Sequence, residues 1–122
     1  MSRRGKTILV VDDDQDIRDT LTELLEDEGY AVVRASHGGE ALEALRGEPR
    51  PDLVLLDLMM PVMDGWQFRA EQRKDPAIAS VPVLVISATG KDDKVASLAA
   101  VQFLKKPIHL DQLLDAVERH CG

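Results

Sequence analysis

The 122-residue chain has one cysteine, no long apolar run and no excess of positive charge. Cys121 stands alone, so no disulfide forms within the chain, which fits a reducing compartment. The apolar runs fall far short of the roughly 18 residues of a membrane span, and none follows Met1 as the core of a signal peptide would. A cytoplasmic location without membrane association is therefore the expectation. Asp and Glu number 22 against 15 Lys and Arg, a formal net charge of −7. Such a surface repels DNA and anionic lipid, and no direct nucleic-acid contact is expected. The basic cluster Arg3, Arg4 and Lys6 reads as part of a flexible, solvated tail over residues 1–6. No linker, low-complexity stretch or repeat appears. With 44% hydrophobic and 30% charged residues the balance is globular. The length suits one domain, 1–122, which buries roughly two-thirds of its unfolded surface.

Three apolar runs organise the chain: Ile8-Leu9-Val10-Val11, Leu53-Val54-Leu55-Leu56 and Val83-Leu84-Val85-Ile86. None alternates with polar residues, the pattern of strands covered on both faces. Ala31-Val32-Val33 and Val101-Gln102-Phe103-Leu104 are weaker strands. Helical patterns lie between. Ile17, Leu21, Leu24 and Leu25 share one helix face, with Asp14 and Asp16 at its start and Gly29 at its end. Ala41, Leu42 and Leu45 mark a shorter helix after Gly38-Gly39. Leu110, Leu113, Leu114, Val117 and Cys121 mark the last helix. A third helix follows Asp64-Gly65, its apolar stripe thinned by Arg69 and Gln72, with Trp66 part-exposed on the first turn. A further short helix is expected over residues 92–100. Five β-α alternations predict a parallel sheet with helices on both faces.

In such sheets ligands bind beyond the carboxyl ends of the strands. The first strong strand ends in Asp12-Asp13, the next in Asp57 and the third in Ser87. The fifth strand is followed by Lys105-Lys106-Pro107. These polar groups, distant in sequence, converge on one rim. Three carboxylates in one place repel one another, and the usual remedy is a hard cation such as Mg²⁺. A carboxylate is also a nucleophile toward phosphorus. A lysine ammonium and a small hydroxyl, Lys106 and Ser87, would stabilise the charge on a transferring phosphoryl group.

In this order and spacing, Ile8 to Asp13, Asp57-Leu-Met-Met-Pro-Val-Met-Asp-Gly65, Ser87-Ala88 and Lys106-Pro107 resemble a response-regulator receiver domain of two-component signalling, over essentially the whole chain. The resemblance implies a flavodoxin-like α/β fold, doubly wound, with five parallel strands in the order 2-1-3-4-5. It implies Asp57 as the phosphoacceptor and Mg²⁺ held by Asp12, Asp13, Asp57 and the Met59 carbonyl. Ser87 would hydrogen-bond the phosphoryl oxygen and Lys106 would pair with it, while Lys105 points elsewhere. Pro107 would follow a cis bond, and Phe103 would be the switch aromatic that moves as Ser87 is drawn to the phosphate. The implied partners are a sensor histidine kinase or phosphotransfer protein and a downstream protein target. The implied assembly is a monomer or a weak phosphorylation-dependent dimer. The implied role is signalling rather than enzymatic, with no output domain in the chain.

Three features depart from the family pattern. Val62 stands where the loop after the acceptor usually has Gly. The interval from Ser87 to Phe103 is short and lacks the customary Gly-Ala, which predicts a short or irregular fourth helix. Arg69 and Gln72 weaken the buried face of the third helix. Met59 and Thr89 lie where side chains can gate water; equally, both are loop fillers. His37, His109 and His120 do not cluster as metal ligands, and His109 reads as the cap of the last helix. Two other readings compete. Asp12-Asp13-Asp14 contains the Asp-x-Asp of an aspartate-nucleophile phosphatase, although the chain is short for that fold. The short fourth helix would suit an interaction module independent of phosphorylation.

Overall fold

The computed structural model describes residues 6–48, 50–57, 65–87, 102–106 and 109–121; the side chains of Ser87 and Cys121 fall outside that description. The strands are β1 (Thr7–Val11), β2 (Ala31–Ala35), β3 (Leu53–Asp57), β4 (Val83–Ser87) and β5 (Gln102–Lys105). The helices are α1 (Gln15–Asp27), α2 (Gly38–Arg46), α3 (Gly65–Lys74) and α4 (Leu110–Cys121). α4 is the last of the five expected helices; the one expected over 92–100 lies outside the described residues.

All strand pairs are parallel, in the order β2-β1-β3-β4-β5. Alternate residues of the three central strands serve two cores. Leu9, Val11, Val54, Leu56, Val83 and Val85 pack with Ala41, Leu42, Leu45 and Phe68 of α2 and α3. Ile8, Val10, Leu53, Leu55, Leu84 and Ile86 pack with Leu21, Leu25, Leu113, Ala116 and Val117 of α1 and α4. Both faces are covered, which is why these strands are apolar throughout. Each large side chain so buried contributes roughly 1.5–3 kcal/mol. β2 and β5 are the sheet edges and only partly buried, so their sequences carry a weaker signal.

Local chemistry sets the helix ends. Asp14 caps α1, its Oδ1 accepting from the backbone N–H groups of Asp16 and Ile17. Gly29, at φ 98°, closes it; Gly29 N–H donates to the Glu26 carbonyl and Tyr30 N–H to the Leu25 carbonyl. α2 begins earlier than expected and includes both glycines, because the His37 ring accepts from the N–H groups of Gly39 and Glu40 through Nδ1. A Cβ on Gly39 would come within 3.1 Å of that ring. His109 precedes α4, and its carbonyl accepts from Leu113 N–H.

Gln72 corrects the expectation for α3. It is fully buried, yet it does not weaken the helix face. Its Nε2 donates to the carbonyls of Ile78 and Val81 at 2.9 and 3.0 Å, and Arg69 Nη1 donates to its Oε1 at 2.7 Å. The amide thus satisfies the turn that leads into β4. Gln72→Leu leaves two carbonyls without this donor and is expected to lower unfolding free energy by about 2 kcal/mol, measurable by urea titration. An unchanged midpoint would show that water replaces the amide.

Candidate functional site

The sheet order reverses between β1 and β3, and ligands in this architecture occupy the crevice at such a reversal. The register pairs Val11 with Leu56, so the residues that follow them, Asp12 just past β1 and Asp57 at the end of β3, stand side by side. β4 pairs with β5 through Ser87 and Lys105, which brings Lys106 to the same rim. Carboxylate oxygens of Asp12, Asp13 and Asp57 lie within 4.8 Å of one another, close enough to share one metal ion. Asp12 and Asp57 are buried, at 3% and 5% exposure, while Asp13 is exposed. Lys106 Nζ stands 3.6 Å from Asp57 Oδ1 and 3.9 Å from Asp12 Oδ2. Lys105 is exposed on the edge strand.

The surroundings of Asp12 disfavour its charged form. Burial pushes its pKa up to about 6 from 3.8, and the charges of Asp57 and Asp13 push the same way. The Asp14 N–H, which donates to its Oδ1 at 2.9 Å, and Lys106 oppose the rise. The donor set fits a hard divalent cation: all oxygen and clustered, three carboxylates with Lys106 beside them. Asp14 is not part of it. Its carboxylate is exposed and committed to the α1 cap, which removes the second acid that the Asp-x-Asp reading needs.

A family model for the response regulator receiver domain matches residues 8–118. The chain belongs to that family. This receiver is 36% identical over 119 residues to sporulation initiation phosphotransferase F of Bacillus subtilis, covering 95% of this chain and 94% of that one. It is 34% identical over 113 residues to Protein PilH of Pseudomonas aeruginosa, covering 90% and 93%. Among solved structures, the chemotaxis protein CheY4 of Vibrio cholerae superposes with a TM-score of 0.86 at 30% identity, covering 94% of this chain and 98% of that one. The receiver is therefore a signalling domain of two-component systems. Among the described residues no helix is long and apolar enough to cross a membrane.

Of the residues singled out from sequence, Asp12, Asp13, Asp57 and Lys106 come together. Phe103 lies on β5, half-buried against the core on the α2–α3 face. Met59, Val62, Thr89 and Pro107 lie outside the described residues, as does the Ser87 side chain. Two features went unread in the sequence. Arg18 Nη1 donates to the Asp12 carbonyl at 2.7 Å. A groove of about 500 Å³ runs between α1 and α4, walled mainly by Ile17, Leu21, Leu24, Leu110 and Leu113, with Lys106 also lining it. Leu110, half-exposed, is its clearest signal: an apolar residue left in water directly after the site lysine's segment.

Proposed function

We propose that this receiver accepts a phosphoryl group on Asp57 from a phosphohistidine of a sensor histidine kinase or phosphotransfer protein. The observation that carries the reading is the meeting of three carboxylates within ligand distance of one another with Lys106 Nζ 3.6 Å from Asp57. An Asp57 carboxylate oxygen forms the new bond to phosphorus while the bond from phosphorus to the donor's imidazole nitrogen breaks, and the imidazole leaves with the electron pair. Lys106, held between Asp12 and Asp57, pairs with the oxygens of the incoming group. Asp12, Asp13 and Asp57, with the Met59 carbonyl, would hold Mg²⁺, which when bound supplies positive charge to those oxygens. Ser87, last residue of the strand beside β5, would hydrogen-bond the attached phosphoryl group. Phe103 suits a ring that exchanges between outward and inward rotamers, because it sits half-buried at the sheet edge. Phosphorylation would shift that two-state balance and so change the surface offered to a downstream protein. The test is incubation with acetyl phosphate and Mg²⁺ followed by intact-mass measurement. A gain of one phosphoryl group is expected, and its absence from the wild type would refute the reading.

The groove supplies the donor's seat. Lys106 lines it and also reaches Asp57, so a partner helix laid along α1 and α4 brings its phosphohistidine to the acidic rim. Leu110→Glu places a charge on the apolar wall at a site exposed enough to spare the core. It is expected to slow transfer from a phosphorylated histidine-phosphotransfer domain about tenfold more than uptake from acetyl phosphate, the equivalent of about 1.4 kcal/mol of docking energy. Rapid-quench comparison of the two donors checks this; equal slowing would place the donor elsewhere.

A further inference from the structure

Asp12 and Asp13 lie beyond the last paired residue of β1. Val11 is registered with Ala35 on one side and Leu56 on the other, and past it the sheet no longer dictates the direction of the backbone. Three bonds take over. Asp12 N–H donates to the Ala35 carbonyl at 3.2 Å, Asp12 Oδ1 accepts from Asp14 N–H at 2.9 Å, and the Asp12 carbonyl accepts from Arg18 Nη1 at 2.7 Å. Only the third comes from another side chain, and it is the shortest. A guanidinium donor is charged and rigid, so this bond is both strong and directional.

The carbonyl it holds has a particular leverage. The Asp12 carbonyl lies in the peptide plane that joins Asp12 to Asp13, and that plane is stiff. Fixing the carbonyl therefore fixes the course on which Asp13 leaves Asp12, and with it the relative placement of the two carboxylates. We propose that Arg18 is a positioning residue for the metal-binding acid pair, acting through the peptide between Asp12 and Asp13. The inference rests on the reading of Asp12, Asp13 and Asp57 as a Mg²⁺ site.

Charge and position pull in opposite directions here, which makes the inference testable. A guanidinium next to the acids repels an incoming cation, so loss of its charge alone would tighten Mg²⁺ binding. Loss of its positioning role would weaken it. Titration calorimetry with magnesium chloride on the full chain should show roughly tenfold weaker binding for Arg18→Met, the scale typical of groups that orient metal ligands. Arg18→Lys, which keeps the charge and a donor, should lose less. In metal-free protein, hydrogen exchange of the Asp14 amide, the donor to Asp12 Oδ1, should quicken in Arg18→Met while amides of β3 stay protected. That second readout separates local release from general loss of stability. An Arg18→Met protein that binds Mg²⁺ as tightly as wild type, or more tightly, would overturn the positioning role alone. A wild type that binds no Mg²⁺ would overturn the metal-site reading and this inference with it.

Discussion

Asp57→Asn should gain no phosphoryl group from acetyl phosphate and Mg²⁺, and in metal-free buffer at pH 7.5 it should melt above the wild type. The two results come from the same atoms. The amide keeps the shape of the carboxylate but offers no anionic oxygen to attack phosphorus, so covalent uptake ends. It also takes one negative charge out of a buried cluster. Asp57 is only 5% exposed and has two other carboxylates near it, with Lys106 Nζ at 3.6 Å. Lys106 keeps Asp12 as a partner after the change. Removing one of three clustered like charges should stabilise the metal-free fold by roughly 1–2 kcal/mol. Intact-mass measurement reads the first effect and thermal melting the second. A variant that lost uptake because it misfolded would melt lower, so the pair of signs separates lost chemistry from lost structure. Phosphorylation of Asp57→Asn at another acid would place the acceptor elsewhere on the rim.

The sequence made the centre of this molecule legible and its margins less so. β1, β3 and β4 are apolar throughout because helices cover both their faces, and this same feature makes the acids at their ends conspicuous. Edge position blurs β2 and β5, whose side chains are only partly buried. On α3 the binary pattern misleads: Gln72 occupies a core position and is satisfied by two loop carbonyls, a partnership that depends on a turn six to nine residues away. Arg18 was hidden for a related reason. Its partner is a backbone carbonyl, and a carbonyl leaves no mark in the residue pattern. The groove was hidden because Ile17, Leu24 and Leu110 fit the stripes that also build the core; only their partial exposure in the folded chain tells them apart. The acid site itself was readable because topology alone, with no side-chain detail, brings those strand ends together.

Lowering the pH from 7.5 to 5 should stabilise the metal-free receiver, the opposite of what paired carboxylates usually do. Asp12 has a folded pKa of about 6 against 3.8 for the ordinary side chain, raised first by burial and then by Asp57 and Asp13. A group whose pKa is raised on folding binds its proton more tightly in the native state. Its stabilising contribution is complete below pH 3.8, is lost as the pH rises through about 6, and is absent at pH 7.5. The full span corresponds to about 3 kcal/mol, about half of it recovered at pH 5, a rise of a few degrees in melting temperature for a domain of this size. Glu40 and Asp75 act in the opposite sense, since hydrogen bonds from Ser36 and from Arg46 lower their pKa values. Their contributions are lost only as the pH falls below the ordinary carboxylate range, and comparison with an Asp12 variant assigns the rise to Asp12. Asp12→Asn should abolish the rise and, at pH 7.5, melt higher than the metal-free wild type. Saturating Mg²⁺ should abolish it too, because a cation on Asp12 stabilises the carboxylate rather than the acid and moves the favourable state to the higher pH. Melting curves at the two pH values, with and without the metal, give all four results. A wild type that melts higher at pH 7.5 than at pH 5 without metal would mean that Asp12 is already neutralised by its neighbours, and that the acidic cluster carries no unmet demand for a cation.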